Sequence, residues 1–116
     1  MTPILAKNGK RYRFGLGPET VLTFNSVEKT TMQLNFQLHN LIPGQEVSIW
    51  VNGTEKRHFT ELNHRGKPVT GTVEFESVAG RNEIRLVYAD WNHKQTAYFP
   101  KDARPVAINI LALAIQ

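Results

Sequence analysis

Polar and apolar residues alternate along much of the chain, most regularly in a segment near residue 35. Met32, Leu34, Phe36 and Leu38 are apolar, and every residue between them is polar. A period of two places the apolar side chains on one face of a β-strand, whereas a helix would spread them around its circumference. We therefore predict a strand with one buried face and one hydrated face.

The same period recurs in further segments that are separated by turn residues. Asn52-Gly53 is the strongest hairpin signal, because both central positions of a type I′ turn need a positive φ. The last segment is apolar on both faces from Ile108 to Ile115, so it should be covered on both sides or carry a bulge. In chain order, the predicted strands are Arg11–Phe14, Val21–Phe24, Met32–Leu38, Val47–Val51, Lys56–Glu61, Val69–Val78, Glu83–Tyr88, a short strand or extended piece at Ala97–Phe99, and Val106–Ile115.

Eight or nine short strands at regular spacing, without a convincing helix, predict an all-β protein. The 116 residues suffice for one core, so we predict a single antiparallel β-sandwich over residues 1–116, with 1–17 as a loosely ordered N-terminal segment. The predicted core consists of Met32, Leu34, Phe36, Leu38, Ile49, Val73, Phe75, Ile84, Leu86 and Ile108.

Composition excludes several classes of partner. The net charge is +4, but the basic residues are scattered and no aromatic-basic motif accompanies them, which argues against nucleic acid. No apolar run approaches the roughly 20 residues that a membrane span needs, so no membrane insertion is expected. The absence of cysteine rules out disulfides and thiolate metal sites.

Neither metal chemistry nor catalysis has a sequence signature. His39, His58, His64 and His93 lack the spacing of metal ligands. No cofactor is predicted. A structural calcium site built from Asp90 or Asp102 with backbone carbonyls stays open, because carbonyl ligands leave no trace in the sequence. The chain contains no G-x-S-x-G motif, no P-loop and no nucleophile beside a base, and we predict that it is not an enzyme.

Four segments resemble a known class of domain. Val47–Gly53 with an x-V-N-G hairpin, Val73–Phe75, and Gly80–Leu86 with a G-x-N-x-I-x-L strand resemble galactose-binding-like jelly rolls, where these motifs occur in this order. Asp102–Ile108 is similar to the D-x-R-x-L-x-I end of β-sandwich domains appended to bacterial membrane glycosyltransferases and phosphoglycerol transferases. The resemblance implies a jelly-roll sandwich with an accessory or carbohydrate-binding role.

The main candidate site follows the strand that ends at Tyr88. Trp91, Asn92, His93 and Tyr98 lie there, and Arg104 could join them. Sugars are bound by aromatic faces that stack on C–H surfaces and by polar groups that bond hydroxyls, so this loop is a candidate ligand site. The alternative is that Trp91 closes one end of the core and Asn92 shapes a turn.

Two further features are open to two interpretations. Trp50 lies on the strand face opposite Val47, Ile49 and Val51, where it could be a stacking platform or could pack under a loop or a partner. Asp102 and Arg104 are two residues apart, a spacing at which a guanidinium and a carboxylate often tie a loop to a sheet.

These observations predict a non-catalytic carbohydrate-binding or accessory domain of a larger bacterial envelope-associated protein. Such a parent would place the domain outside the cytoplasm, although the sequence itself leaves the compartment unknown. The alternative is a structural or assembly module that contacts a protein partner, or its own parent polypeptide, without a small ligand. Exposed tryptophans ringed by polar groups would favour sugar, and tryptophans on a flat apolar sheet would favour a protein.

Overall fold

The computed structural model describes residues 13–60, 62 and 66–116. These residues form eight β-strands and no helix. The described part of the chain therefore contains no helix that could cross a membrane. The strands are β1 (Arg13–Leu16), β2 (Glu19–Ser26), β3 (Thr31–Asn40), β4 (Val47–Val51), β5 (Thr54–Phe59), β6 (Val69–Glu76), β7 (Gly80–Tyr88) and β8 (Val106–Ile115).

The strands pair into two four-stranded sheets, and every pairing is antiparallel. One sheet, called sheet A, has the order β1-β8-β3-β6, and the other, sheet B, has the order β2-β7-β4-β5. The buried side chains of both sheets form one cluster between them. The predicted antiparallel β-sandwich is therefore confirmed.

The predicted core is confirmed in full. All ten residues are buried in the common cluster, and the nine that precede β8 lie on the strand faces that the alternation indicated. Tyr88 also points inward at the end of β7, where its hydroxyl lies 2.6 Å from the Thr20 Oγ1 atom. Burial raises the pKa of Tyr88 to about 12, because the phenolate would have to form away from water.

Two local predictions are also confirmed. Asn52 and Gly53 have φ angles of 48° and 83° at the β4–β5 turn, as a type I′ turn requires. Strand β8 shifts register opposite Gln37 and Leu38, and this bulge resets its alternation.

The predicted boundaries differ from the structure in several places; β5, for example, begins at Thr54 rather than at Lys56. Ala97–Phe99 is not a strand but part of the loop between β7 and β8, because side-chain bonds rather than a strand ladder hold it. Strand β2 extends over eight residues, beyond the four apolar-rich ones that predicted it. The predicted first strand began at Arg11, and Arg11 and Tyr12 lie outside the described residues, as do Glu61 and His64.

Candidate functional site

The loop between β7 and β8, residues 89–105, covers one end of the sandwich and is organised by Asn92. The Asn92 side chain is fully buried. Its Nδ2 group donates to the carbonyl oxygens of Phe99, Asp102 and Arg104, at 3.0, 2.9 and 3.2 Å. Its Oδ1 atom accepts from the Phe99 amide at 3.0 Å. The structure thus places Asn92 beneath the surface, where it fixes the loop backbone and is out of reach of a ligand.

A second buried amide joins this loop to the sheets. Gln45, on the turn before β4, donates from Nε2 to the carbonyl oxygens of Asp90 and Ala107, at 2.8 and 2.9 Å. Its Oε1 atom accepts from the Asp90 amide at 2.9 Å and from the Glu46 amide at 3.1 Å. Both ends of the loop are therefore held by neutral side chains whose hydrogen-bonding groups are fully used.

Trp91 is half-buried and packs against the core. Its ring lies on Gly17 so closely that a Cβ atom added there would come within 2.3 Å of the Trp91 Cγ and Cδ2 atoms. The Lys94 ammonium lies 4.7 Å from the ring centroid and donates to the Ala89 carbonyl oxygen at 2.7 Å. The ring is thus already in contact with protein groups, as the alternative interpretation of Trp91 expected.

His93 and Tyr98 are tied into the same loop. His93 adopts a positive φ of 73°, and its Nε2–H group donates to the Asp102 carbonyl oxygen at 2.7 Å. The Tyr98 hydroxyl donates to the Asp90 Oδ2 atom at 2.5 Å. This bond to a carboxylate raises the pKa of Tyr98. Both side chains remain in part accessible at the loop surface.

Asp102 and Arg104 form the predicted fork. The Arg104 Nε and Nη2 atoms donate to the two carboxylate oxygens of Asp102, at 3.0 and 2.8 Å. The Arg104 backbone amide donates to the same carboxylate at 3.0 Å. The hydrogen bonds from Arg104 lower the pKa of Asp102 to about 2. The guanidinium also lies 5.0 Å from the centroid of the Phe14 ring, so the pair links the loop to β1.

A pocket that we call the loop-end pocket lies beside Asp102 and Phe14. It has a volume of about 160 Å³, and a shallow depression of about 650 Å³ opens beside it along the segment from Tyr98 to Arg104. Apolar rings form its walls, and a carboxylate lies at its edge. The pocket is lined by Phe14, Leu41, Phe99, Asp102 and Val106.

Trp50 lies far from this pocket in the fold, on the outer face of sheet B. Its indole Nε1–H group donates to the Ser48 Oγ atom at 3.0 Å, and its cross-strand neighbours are Arg85 and Glu55. Arg85 is paired in turn with Glu83 and Glu19. The ring is half-buried among polar and charged groups rather than on a flat apolar surface.

The structure therefore separates the six candidate residues that the sequence suggested. Tyr98 and Arg104 border one depression, and His93 bonds the Asp102 carbonyl beside it. Asn92 and Trp91 support the loop from below, and Trp50 belongs to another surface.

The sequence analysis missed Phe14, Leu41 and Phe99 as site residues. Phe14 is brought to the site by the pairing of β1 with β8, where it lies opposite Asn109. Phe14 is followed by Gly15, which allows the close approach of Tyr88, and this exposed aromatic beside a glycine was the one usable signal. Leu41 and Phe99 come from separate loops and have no periodicity to mark them.

Within the described residues, no group of three or more histidine, aspartate or glutamate side chains is placed to hold a metal ion. The carbonyl oxygens that converge in the loop accept from the Asn92 amide. These three carbonyl oxygens are therefore already engaged by a neutral N–H donor group.

Several solved structures with a similar fold are carbohydrate-binding modules, and others are longer proteins of which one part has this fold. A family 35 carbohydrate-binding module from an environmental isolate superposes with a TM-score of 0.61 at 16% identity, covering 96% of this chain and 76% of that one. A family 35 module in complex with a disaccharide that contains glucuronic acid gives a TM-score of 0.56 at 18% identity, covering 96% and 80%.

A ruminal endo-β-1,4-mannanase also matches, with a TM-score of 0.62 at 10% identity. The match covers 96% of this chain but only 20% of the enzyme, so the sandwich corresponds to one part of that longer protein. No protein-family model matches the sequence, and no curated protein matches it. At these identities the likeness establishes the fold: a galactose-binding-like jelly-roll sandwich of the kind found in family 35 modules.

Proposed function

We propose that this domain is a non-catalytic carbohydrate-binding module and that it binds sugar at the loop-end pocket. The observation that carries the proposal is the composition of the pocket. Phe99 offers ring surface, and Phe14 adds the part of its exposed ring that Arg104 does not cover. The Asp102–Arg104 pair beside them offers both acceptors and donors. Sugar recognition needs this combination of apolar stacking with bonds to hydroxyl groups.

The rigidity of the loop supports the proposal. The Phe99 amide and carbonyl are both bonded to the buried Asn92 side chain, so the backbone that carries the Phe99 ring is held from below. A site that is ordered before binding loses little entropy when a ligand arrives. The similar carbohydrate-binding modules favour the same class of ligand, and the mannanase suggests that the domain serves a longer polypeptide.

The pocket accommodates little more than one ring, so we expect weak binding. Stacking of one sugar ring contributes about 1 kcal/mol, and we expect dissociation constants from the high micromolar to the millimolar range. A glycan array with the isolated domain would identify the ligand. The strongest binder would then be titrated while backbone amide signals are followed by NMR.

Phe99→Ala tests the pocket, because the substitution removes the ring but leaves the backbone bonds to Asn92 in place. We expect at least about fivefold weaker binding, which corresponds to about 1 kcal/mol. Val21→Ala is the matched control, since Val21 is an exposed apolar residue on sheet B. The proposal fails if no glycan binds at millimolar concentration, or if the two variants weaken binding equally.

A further inference from the structure

The outer face of sheet A carries a row of neutral hydrogen-bonding side chains. On β3 and β6, Asn35 pairs across strands with Thr72, and Gln37 pairs with Thr70. The Thr72 hydroxyl donates to the Asn35 Oδ1 atom at 2.7 Å, which fixes the orientation of that amide. Amides and hydroxyls in two adjacent rows can both donate to and accept from a polar, uncharged ligand.

The bulge in β8 turns this row into a groove. Because the register shifts near Ile110, Ala112 and Ala114 lie on the outer face while Leu113 and Ile115 stay buried. Their small side chains leave a depression of about 300 Å³ beside the amides, and no charged side chain lines it. We call this depression the sheet trough; its lining side chains are Asn35, Gln37, Thr70, Thr72, Ala112 and Ala114.

Asn109 lies on β8 between the sheet trough and the loop-end pocket. It pairs with Phe14 on one side and with His39 on the other, so its side chain shares the outer face with both. The Asn109 Oδ1 atom is buried and has no hydrogen-bond partner among the described residues. An unsatisfied buried acceptor is costly, so a rotation of the Asn109 side chain towards a ligand hydroxyl on the outer face would remove the cost.

We propose that a single extended, uncharged oligosaccharide chain runs from the loop-end pocket across Asn109 into the sheet trough. This inference rests on the proposed function and assigns the ligand as an internal stretch of polysaccharide rather than a single terminal sugar. Along β8, the distance from Val106 at the pocket to Ala114 in the trough is about 25 Å, from the rise per residue of a strand. That length holds several consecutive sugar rings.

The length of the ligand provides the test. Linear manno- and xylo-oligosaccharides of increasing length would be titrated into the whole chain by calorimetry and by NMR. We expect the longest ligands to bind about tenfold more tightly than the disaccharides, because the added neutral hydrogen bonds together contribute about 1.4 kcal/mol. The side-chain amide signals of Asn35 and Gln37 should shift only with the longer ligands.

Ala114→Arg would obstruct the trough from its solvent face without disturbing the core. It should reduce the affinity for long ligands to that for disaccharides and leave disaccharide binding unchanged. Thr23→Arg is the matched control, because Thr23 is exposed on β2 in the other sheet; it should change neither affinity.

If affinity does not depend on ligand length and the NMR shifts are confined to the loop-end pocket, the proposal that the ligand enters the sheet trough is wrong, whereas the proposed function stands. Equal weakening of disaccharide and long-chain binding by Ala114→Arg would also contradict the trough. If neither disaccharides nor longer chains bind, both proposals are wrong.

Discussion

Substitutions at the contact between Trp91 and Gly17 test whether the Trp91 ring stabilises the fold or serves as a surface on which a ligand stacks. Trp91 packs on the core and on the Gly17 backbone. Replacing a fully buried tryptophan by alanine costs about 3–5 kcal/mol of stability, and removing a half-buried ring should cost about 2 kcal/mol. We therefore expect Trp91→Ala to lower the free energy of unfolding by about that amount.

Gly17→Ala probes the same contact from the other side. The added Cβ atom would lie 2.3 Å from the Cγ and Cδ2 atoms at the rigid root of the Trp91 ring, so the ring must shift. Overpacking of this kind costs about 1–3 kcal/mol. In the double variant the ring is absent and the clash disappears, so the two losses should fall short of additivity by about 1 kcal/mol.

Urea denaturation followed by circular dichroism measures all three variants. Trp50→Ala serves as the control, because Trp50 lies on the outer face of sheet B and contacts Ser48 rather than the core. We expect it to cost less than Trp91→Ala. Additive losses at Gly17 and Trp91, or a smaller loss for Trp91→Ala than for Trp50→Ala, would refute the structural role of Trp91.

Three further predictions concern the core, the loop and its ion pair. Phe36→Ala and Leu86→Ala should each cost about 3 kcal/mol in urea denaturation, and losses below about 1 kcal/mol at both would mean that the inward faces are misassigned. The pKa of Asp102 is lowered from 3.8 to about 2, so its bond with Arg104 should contribute fully to stability above pH 3.8 and weaken as the pH falls towards 2. NMR of the Asp102 carboxyl carbon would follow this titration, and a midpoint near 3.8 would contradict the ion pair with Arg104. Asn92→Ala should destabilise the domain by about 2 kcal/mol, whereas EDTA should leave the melting temperature unchanged; a drop with EDTA would show that a metal ion holds the loop.

The strands were predictable because a strand in a β-sandwich has one buried face and one hydrated face, so its residues alternate between apolar and polar. In β3 and β7 one face is buried and the other hydrated, so the alternation of Met32 to Leu38 and of Ile84 to Tyr88 identifies the inward side directly. β8 is apolar on both faces, and the prediction that it is covered on both sides or carries a bulge followed from that pattern. Its position could not be predicted, since it depends on the register with β3.

The candidate site was less accessible to sequence reasoning. Asp102 and Arg104 are close in sequence, so their ion pair was predictable from spacing alone. The pocket beside them is assembled from β1, from the turn after β3 and from the loop after β7, and contacts over such separations leave no local pattern. The sequence also could not show that Asn92 is buried, because an asparagine after a tryptophan fits an exposed ligand loop and a buried loop anchor equally well.

Buried amides explain how the loop between β7 and β8, residues 89–105, is held in place. Asn40, Gln45, Asn82 and Asn92 are all buried, and each bonds backbone groups on both its oxygen and its nitrogen. An amide presents a donor and an acceptor at once and carries no charge, so its burial avoids the large desolvation cost of an ion. The loop-end pocket therefore rests on anchors that do not titrate, and the groups that a ligand could reach above them, Asp102 and Arg104, already compensate each other. If the pocket binds a ligand as we propose, recognition there would depend on shape and hydrogen bonds rather than on net charge, which suits an uncharged carbohydrate better than an anionic partner.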